Sequence, residues 1–264
     1  MKKLYLHAHI VPDGDREYLD GAFLIEDGKI LDVFAQSRKV NAEEDTEIID
    51  ASGKIIIPAF FDPYTEEESG QGCVRSIRVL QSIEDSSLKE GELGFHNEKG
   101  VPLHEKTLSV SSDHEEVEEA KRRGAKILLK AGYPLDVYDG FLPVLREDFL
   151  DDKGESLSAL ALEGQDYTEV HGSISKRTLS ILLRLIDRKK LILCGGKTMD
   201  EAYRKALELG ARWCDIVACT SMNAYALYGL EKLYGGLKRG KKADYLLLDK
   251  EGNILERYRE GRRL

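Results

Sequence analysis

Alternation of hydrophobic and polar positions is confined to the two ends of the chain. Residues 4–11 alternate loosely, and the apolar stretches 21–25 and 30–34 flank Asp27-Gly28, a pair that favours the tight turn of a hairpin. Two more short strands are predicted at 47–50 and 54–57, around Ala51-Ser52-Gly53. From residue 59 the pattern changes. Short strands are predicted at 92–96 and 108–111 and, from apolar runs, at 126–130 and 191–194, with helices between them. Residues 113–123 open with acids and close on Lys121-Arg122-Arg123 before Gly124, as a helix does. Over 173–187, Leu179, Leu182, Leu183 and Ile186 share one helical face. Thr198 with Glu201 predicts a capping box for a helix over 199–209. Strands alternating with helices imply a parallel sheet covered by helices. Beyond residue 240 strands return, at 244–249 and 254–257, joined by Glu251-Gly252-Asn253. Residues 1–58 and 236–264 are therefore expected to build one small β module, and 59–235 an α/β domain.

Composition narrows the possibilities. The 264 residues are 42% hydrophobic and 33% charged, the balance of a globular chain. A net charge of −9 and a pI near 5.3 exclude a general nucleic-acid binder, which needs a basic face. The short basic run over 257–263 reads as a solvated tail. Only eight Asn and Gln stand beside this charge, a composition resembling that of thermophile proteins. Cys73, Cys194, Cys214 and Cys219 lack metal-ribbon spacing and are expected to be reduced, buried thiols. No apolar run matches a signal peptide or a membrane span, so no membrane partner and a cytoplasmic location are expected.

Several segments then carry a family likeness. Ile25-Glu26-Asp27-Gly28-Lys29-Ile30 resembles the entry hairpin of amidohydrolases. Ile49-Asp50-Ala51-Ser52-Gly53-Lys54, running into Ile57-Pro58-Ala59-Phe60-Phe61-Asp62, resembles the strand that leads into their barrel. Ser221-Met222-Asn223-Ala224 with Gly229 resembles a family helix, with Ala224 where proline is usual, and the stretch from Gly235-Gly236-Leu237 to Ala243-Asp244 resembles the return to the β module. In the middle, Leu93-Gly94-Phe95-His96-Asn97-Glu98, Val110-Ser111-Ser112-Asp113-His114 and Glu169-Val170-His171 resemble segments of the N-acetylglucosamine-6-phosphate deacetylases. The likeness implies a reduced TIM-like α/β barrel with a small β-sandwich module made from both termini. A complete barrel takes ~250 residues, so the barrel here is expected to be incomplete and the protein a homodimer.

The same resemblance implies site residues. Glu98 and His114 fall at metal-ligand positions and His171 at a sugar-contacting position. Lys130 stands where a third ligand, a histidine, is usual, and a charged lysine cannot ligate a metal. Cys194 or Gly195 stands at the place of the proton-transferring aspartate. The expectation is an ion pair between Glu98 and Lys130, with no cofactor and no ordinary metal-dependent deacetylation, and an amino-sugar phosphate as a possible ligand. The alternative is an active hydrolase of amide bonds in an N-acetylated amino-sugar phosphate, with a divalent zinc or iron on Glu98, His114 and another ligand. Structural readings stand beside these: Glu98 as a solvated loop acid, His114 as a helix-start residue, His171 as a hydrogen-bonded core histidine. Gly195-Gly196-Lys197-Thr198 resembles the end of a phosphate-binding loop, yet Leu191 replaces its first glycine. A nucleophilic Cys194 with His171 as base lacks a third, orienting group.

Overall fold

The computed structural model describes residues 2–36, 44–65, 70–80, 92–96, 108–111, 126–129, 144–145, 167–185 and 190–264. The chain divides into two compact units, one made of Met1–Phe61, Gln71–Val74 and Ala211–Leu264, the other of Asp62–Gly70 and Arg75–Gly210.

The first unit starts with β1 (Lys2–Ile10), β2 (Tyr18–Glu26) and β3 (Lys29–Ala35), an antiparallel run. The β2–β3 turn is Asp27-Gly28 as expected, with φ of 47° and 78°. Two positive φ values twist the turn in the sense of the strands it joins. β4 (Thr46–Asp50) and β5 (Ile55–Pro58) both lie parallel to β1, β4 along its first half and β5 at its end. The partner changes near His7, a non-glycine residue at φ 61°, where the β1–β2 register is also broken.

The chain then runs through β6 (Phe60–Thr65), β7 (Cys73–Leu80) and β8 (Glu92–His96), which share a three-stranded sheet. β9 (Leu108–Ser111) and β10 (Lys126–Leu129) form a parallel pair. β11 (Val144–Leu145), β12 (Thr168–His171) and β13 (Leu191–Cys194) form a third, parallel sheet. All four residues of β13 are buried, as an apolar run covered on both faces must be. Among the described residues these three sheets do not join into a closed barrel. The strands expected at 92–96, 108–111, 126–130 and 191–194 are all present to within one residue.

Among the described residues, two helices of the second unit differ from their expected starts. α1 (Lys176–Leu185) begins after Ser175, whose Oγ accepts the amide of Thr178 at 3.2 Å. α2 (Lys197–Glu208) begins at 197, and the Thr198 hydroxyl donates to Gly195 O at 2.6 Å instead of capping the helix. The expected Thr198–Glu201 capping box is therefore not formed. α2 buries Met199, Ala202, Tyr203 and Ala206, one face at helical spacing. The expected helix over 113–123 lies outside the described residues.

Past residue 210 the chain rejoins the first unit through α3 (Trp213–Val217), a π turn (Ala218–Met222) and α4 (Asn223–Leu227). It ends in β14 (Tyr245–Leu248), β15 (Ile254–Arg259) and β16 (Arg262–Arg263). β14 pairs antiparallel with β5, so strands from both ends of the chain share one sheet. Its core holds Tyr5, Ile10, Phe23, Ile30, Ile56, Tyr245 and Tyr258. Tyr245 stacks on Tyr258 at 4.4 Å and meets Phe23 edge-on at 5.0 Å. Its hydroxyl lies 2.7 Å from that of Tyr5, which keeps both phenols hydrogen-bonded in an apolar core. Burial pushes the Tyr245 phenol well above its ordinary range.

The family-like segments from the two ends of the chain meet in this unit. Ser221 Oγ donates to Ala59 O at 3.0 Å, Phe61 stacks on Tyr225 at 4.4 Å, and the amide of Leu237 donates to Pro12 O at 2.8 Å. The buried Asp13 carboxylate organises the turn after β1. It accepts the amides of Asp15 and Arg16 and the Arg16 side chain, with Lys238 3.8 Å away. Burial acts to raise its pKa, but these donors and charges outweigh burial and hold it below the usual carboxylate range.

Candidate functional site

In the second unit, β12 and β13 run parallel with His171 opposite Cys194, so both residues stand at the C-terminal ends of neighbouring strands. Loops that follow this end of a parallel sheet are where such folds place their ligands. β12 ends at His171 because Gly172 turns the chain, its amide donating back to Cys194 O at 2.8 Å. β13 ends at Cys194 and is followed by Gly195, whose φ of 108° excludes a side chain without strain.

The His171 ring has a defined environment. Its Nδ1 lies 2.7 Å from Ser173 Oγ and accepts the Ser173 amide at 3.3 Å. A backbone N–H can only donate, so the Ser173 amide favours the tautomer with Nδ1 as acceptor and the proton on Nε2. The ring edge lies over Gly195: a Cβ built on Gly195 would sit 2.4 Å from His171 Cδ2 and Nε2 and 2.8 Å from Thr198 Oγ1. Histidine and threonine thus fill the space that any side chain at 195 would need.

Cys194 is buried and its Sγ is directed at Val170 O, 3.5 Å away. The structure brings Cys194 and His171 into register but not into a nucleophile–base pair. The thiol faces the sheet, and the imidazole nitrogen able to take a proton is held by Ser173. Cys73, Cys214 and Cys219 are buried thiols outside any disulfide, as expected.

One residue of the site escapes a reading of the strand ends. Asp62, fully buried on β6, accepts the amide of Gly195 on Oδ1 at 3.0 Å and that of Gly196 on Oδ2 at 2.5 Å. Successive amides of residues with positive φ make an anion-binding concavity, strengthened here by the N-terminus of α2. The anion bound there is the protein's own carboxylate. This explains how Gly195-Gly196-Lys197-Thr198 can resemble a phosphate loop while its amides are taken. The available signal was an acid ending the apolar run Ile55-Ile56-Ile57-Pro58-Ala59-Phe60-Phe61. Its partners lie more than a hundred residues away, which no local pattern reveals.

Glu98, His114 and Lys130 lie outside the described residues, as does the expected Glu98–Lys130 ion pair. Among the described residues no group of three or more His, Cys, Asp or Glu is placed to hold a metal ion. No helix among the described residues is long and apolar enough to cross a membrane.

Comparison with known proteins gives the architecture its context. No family model matches the sequence. An adenine deaminase of Methanococcoides burtonii is 29% identical over 145 residues, which take in 53% of this chain and 20% of that protein, so the chain matches only about a fifth of this relative's length. The N-acetylglucosamine-6-phosphate deacetylase of Pasteurella multocida superposes with a TM-score of 0.75 at 11% identity, covering 100% of both chains. The β-aspartyl dipeptidase of Fervidobacterium islandicum AW-1, in complex with β-Asp-Leu dipeptide, gives 0.74 at 13% identity, covering 100% of this chain and 96% of the other. At such identities the likeness is one of fold: a mixed α/β architecture whose structural neighbours are proteins of the amidohydrolase superfamily.

Proposed function

We propose that this protein is an amidohydrolase-like relative of the N-acetylglucosamine-6-phosphate deacetylases that binds an amino-sugar phosphate without carrying out ordinary metal-dependent deacetylation. Its fold would be a reduced, TIM-like (β/α) barrel, with residues 1–58 and 236–264 as the β module. Support comes from the fold shared with the Pasteurella deacetylase and from the strand ends. His171 ends β12 at the position where the resemblance places a sugar contact, while Cys194 and Gly195 at the end of β13 supply no carboxylate to move a proton. The single observation that carries the reading is the His171 ring filling the space over Gly195. At the remaining positions, Glu98, His114 and Lys130, the reading rests on the resemblance, with the Lys130 ammonium opposed to a cation beside Glu98. A homodimer belongs to the same proposal, since the sheet edges of an incomplete barrel would need to be covered.

A second reading, an active metal-dependent hydrolase of a C–N bond, is favoured by the sequence match to an adenine deaminase. Under it a zinc or iron ion on Glu98 and His114 would polarise the substrate and activate water. Titration of the purified chain with N-acetylglucosamine-6-phosphate, followed by calorimetry and an acetate-release assay, separates the two. Binding without acetate release, lost in His171→Asn, is the expected result. Stoichiometric metal accompanied by turnover establishes the second reading instead.

A further inference from the structure

The backbone between β13 and α2 has two faces. On one, the Gly195 and Gly196 amides converge on the Asp62 carboxylate at 3.0 and 2.5 Å. On the other, the Gly195 α-carbon supports the His171 ring so closely that no β-carbon fits between them. We propose that Asp62 is a positioning residue for His171: by clamping both glycine amides it holds the Gly195 turn against the imidazole, fixes the ring on Ser173, and keeps the ring proton on Nε2. For its functional consequence this inference rests on His171 as the ligand-contacting group, but the clamp is defined without any ligand.

The argument follows from what the turn needs. Gly195 and Gly196 adopt φ of 108° and 61°, conformations that an unconstrained chain samples among many others. Both amides precede the twelve-residue α2, where the helix leaves N–H groups without intrahelical acceptors. A buried carboxylate bridging two adjacent amides satisfies both with charge-assisted bonds and leaves the turn one conformation. Gly195 O is in turn held by Thr198, through Oγ1 at 2.6 Å and the amide at 3.2 Å, so the clamped turn is fixed on its carbonyl side too. Without Asp62 the amides must find water or another anion. The turn relaxes, and the floor beneath His171 moves with it. The same clamp excludes a substrate phosphate from the concavity, so a sugar phosphate must place its anionic group elsewhere.

The test uses the full, isotope-labelled chain as wild type, Asp62→Ala and the near-isosteric Asp62→Asn. Its readouts are the imidazole nitrogen resonances of His171 and hydrogen exchange of the Gly195 and Gly196 amides. Wild type should show Nε2 protonated and Nδ1 bare. In Asp62→Ala the ring should become a mixture of tautomers, and the two amides should exchange roughly tenfold faster or more. Sodium formate should reverse both changes, and sodium chloride at equal strength should not. Asp62→Asn turns one acceptor into a donor and should show the tautomer change without formate rescue, which keeps the test available if the alanine variant does not fold. The proposal is overturned if folded variants leave the His171 resonances in place, if wild-type His171 carries its proton on Nδ1, or if chloride and formate act alike. Failure of the binding reading looks different: wild type would ignore N-acetylglucosamine-6-phosphate while the Asp62 variants still moved the tautomer.

Discussion

The aromatic core of the first unit and the strand ends of the second are built on opposite principles. Around Tyr245, the Tyr258 ring stacks face to face and the Tyr5 and Phe23 rings pack edge-on, and polar atoms are few and paired. Around Gly195, the contacts are small and directional: two amides on Asp62, one hydroxyl on a carbonyl, one imidazole on a serine. The first arrangement derives its strength from area, the second its definition from geometry. Substitutions should therefore separate them, with energy lost in the core and chemistry lost at the strand ends.

The largest effect is expected from the core. Phe23→Ala removes a fully buried ring packed on Tyr5 and Tyr245, and should destabilise the chain by about 3–5 kcal/mol. Urea unfolding measures it, and a loss below about 1 kcal/mol would mean that the rings are not packed as described. Next comes Gly195→Asp, which puts a carboxylate where the deacetylase-like pattern expects one. The positive φ alone costs of order 1–3 kcal/mol, and the new Cβ would lie 2.4 Å from the His171 ring. The expected outcome is a less stable protein with no gain of acetate release. A stable, active variant would show that one residue restores the site, and would defeat the view of the strand ends as a binding surface without deacetylation.

How far the two regions could be read from sequence follows from the same contrast. The Asp27-Gly28 hairpin, the strands on both sides of Ala51-Ser52-Gly53 and the turn at Gly252 were legible because turn chemistry and alternation are local. The buried run Leu191-Ile192-Leu193-Cys194 was legible because a covered parallel strand needs continuous apolar residues. The start of α2 was misread: Thr198 and Glu201 have the spacing of a capping box, but Asp62 meets the glycine amides before the helix and Thr198 turns back to Gly195 O. Of the motifs bearing the family likeness, those at the two ends of the chain, such as Ser221 against Ala59 and Phe61 against Tyr225, are joints of the first unit and speak for the fold. That is why the architecture could be recognised while the reaction could not.

A carboxylate inside the first unit sharpens the comparison, since it stabilises by the means otherwise found at the strand ends. Asp13→Asn retains the shape but loses the charge that faces Arg16 and Lys238, and should cost about 1.5–3 kcal/mol at neutral pH. The folded chain holds Asp13 below the ordinary carboxylate range. Its contribution is therefore complete above the unfolded pKa near ~4 and drains away as pH falls through the lower folded value. Urea midpoints of wild type and Asp13→Asn should converge on acidification. Parallel curves would assign the stability to some other group.

The smallest energetic effect and the sharpest functional one should coincide at His171. Its ring is only partly buried and hydrogen-bonds to Ser173 at the surface, so His171→Asn should change stability by no more than about 0.5 kcal/mol. If Nε2–H is the donor a sugar oxygen meets, the same substitution should abolish the heat of binding N-acetylglucosamine-6-phosphate. Asparagine is shorter and cannot place an N–H at the same point over Gly195. Ser173→Ala gives the intermediate case: it keeps the backbone amide on Nδ1 but removes the hydroxyl, so binding should weaken without vanishing. A His171→Asn variant that unfolds as readily as Phe23→Ala would make His171 part of the packing, and the distinction between core and strand ends would fail at the residue on which it most depends.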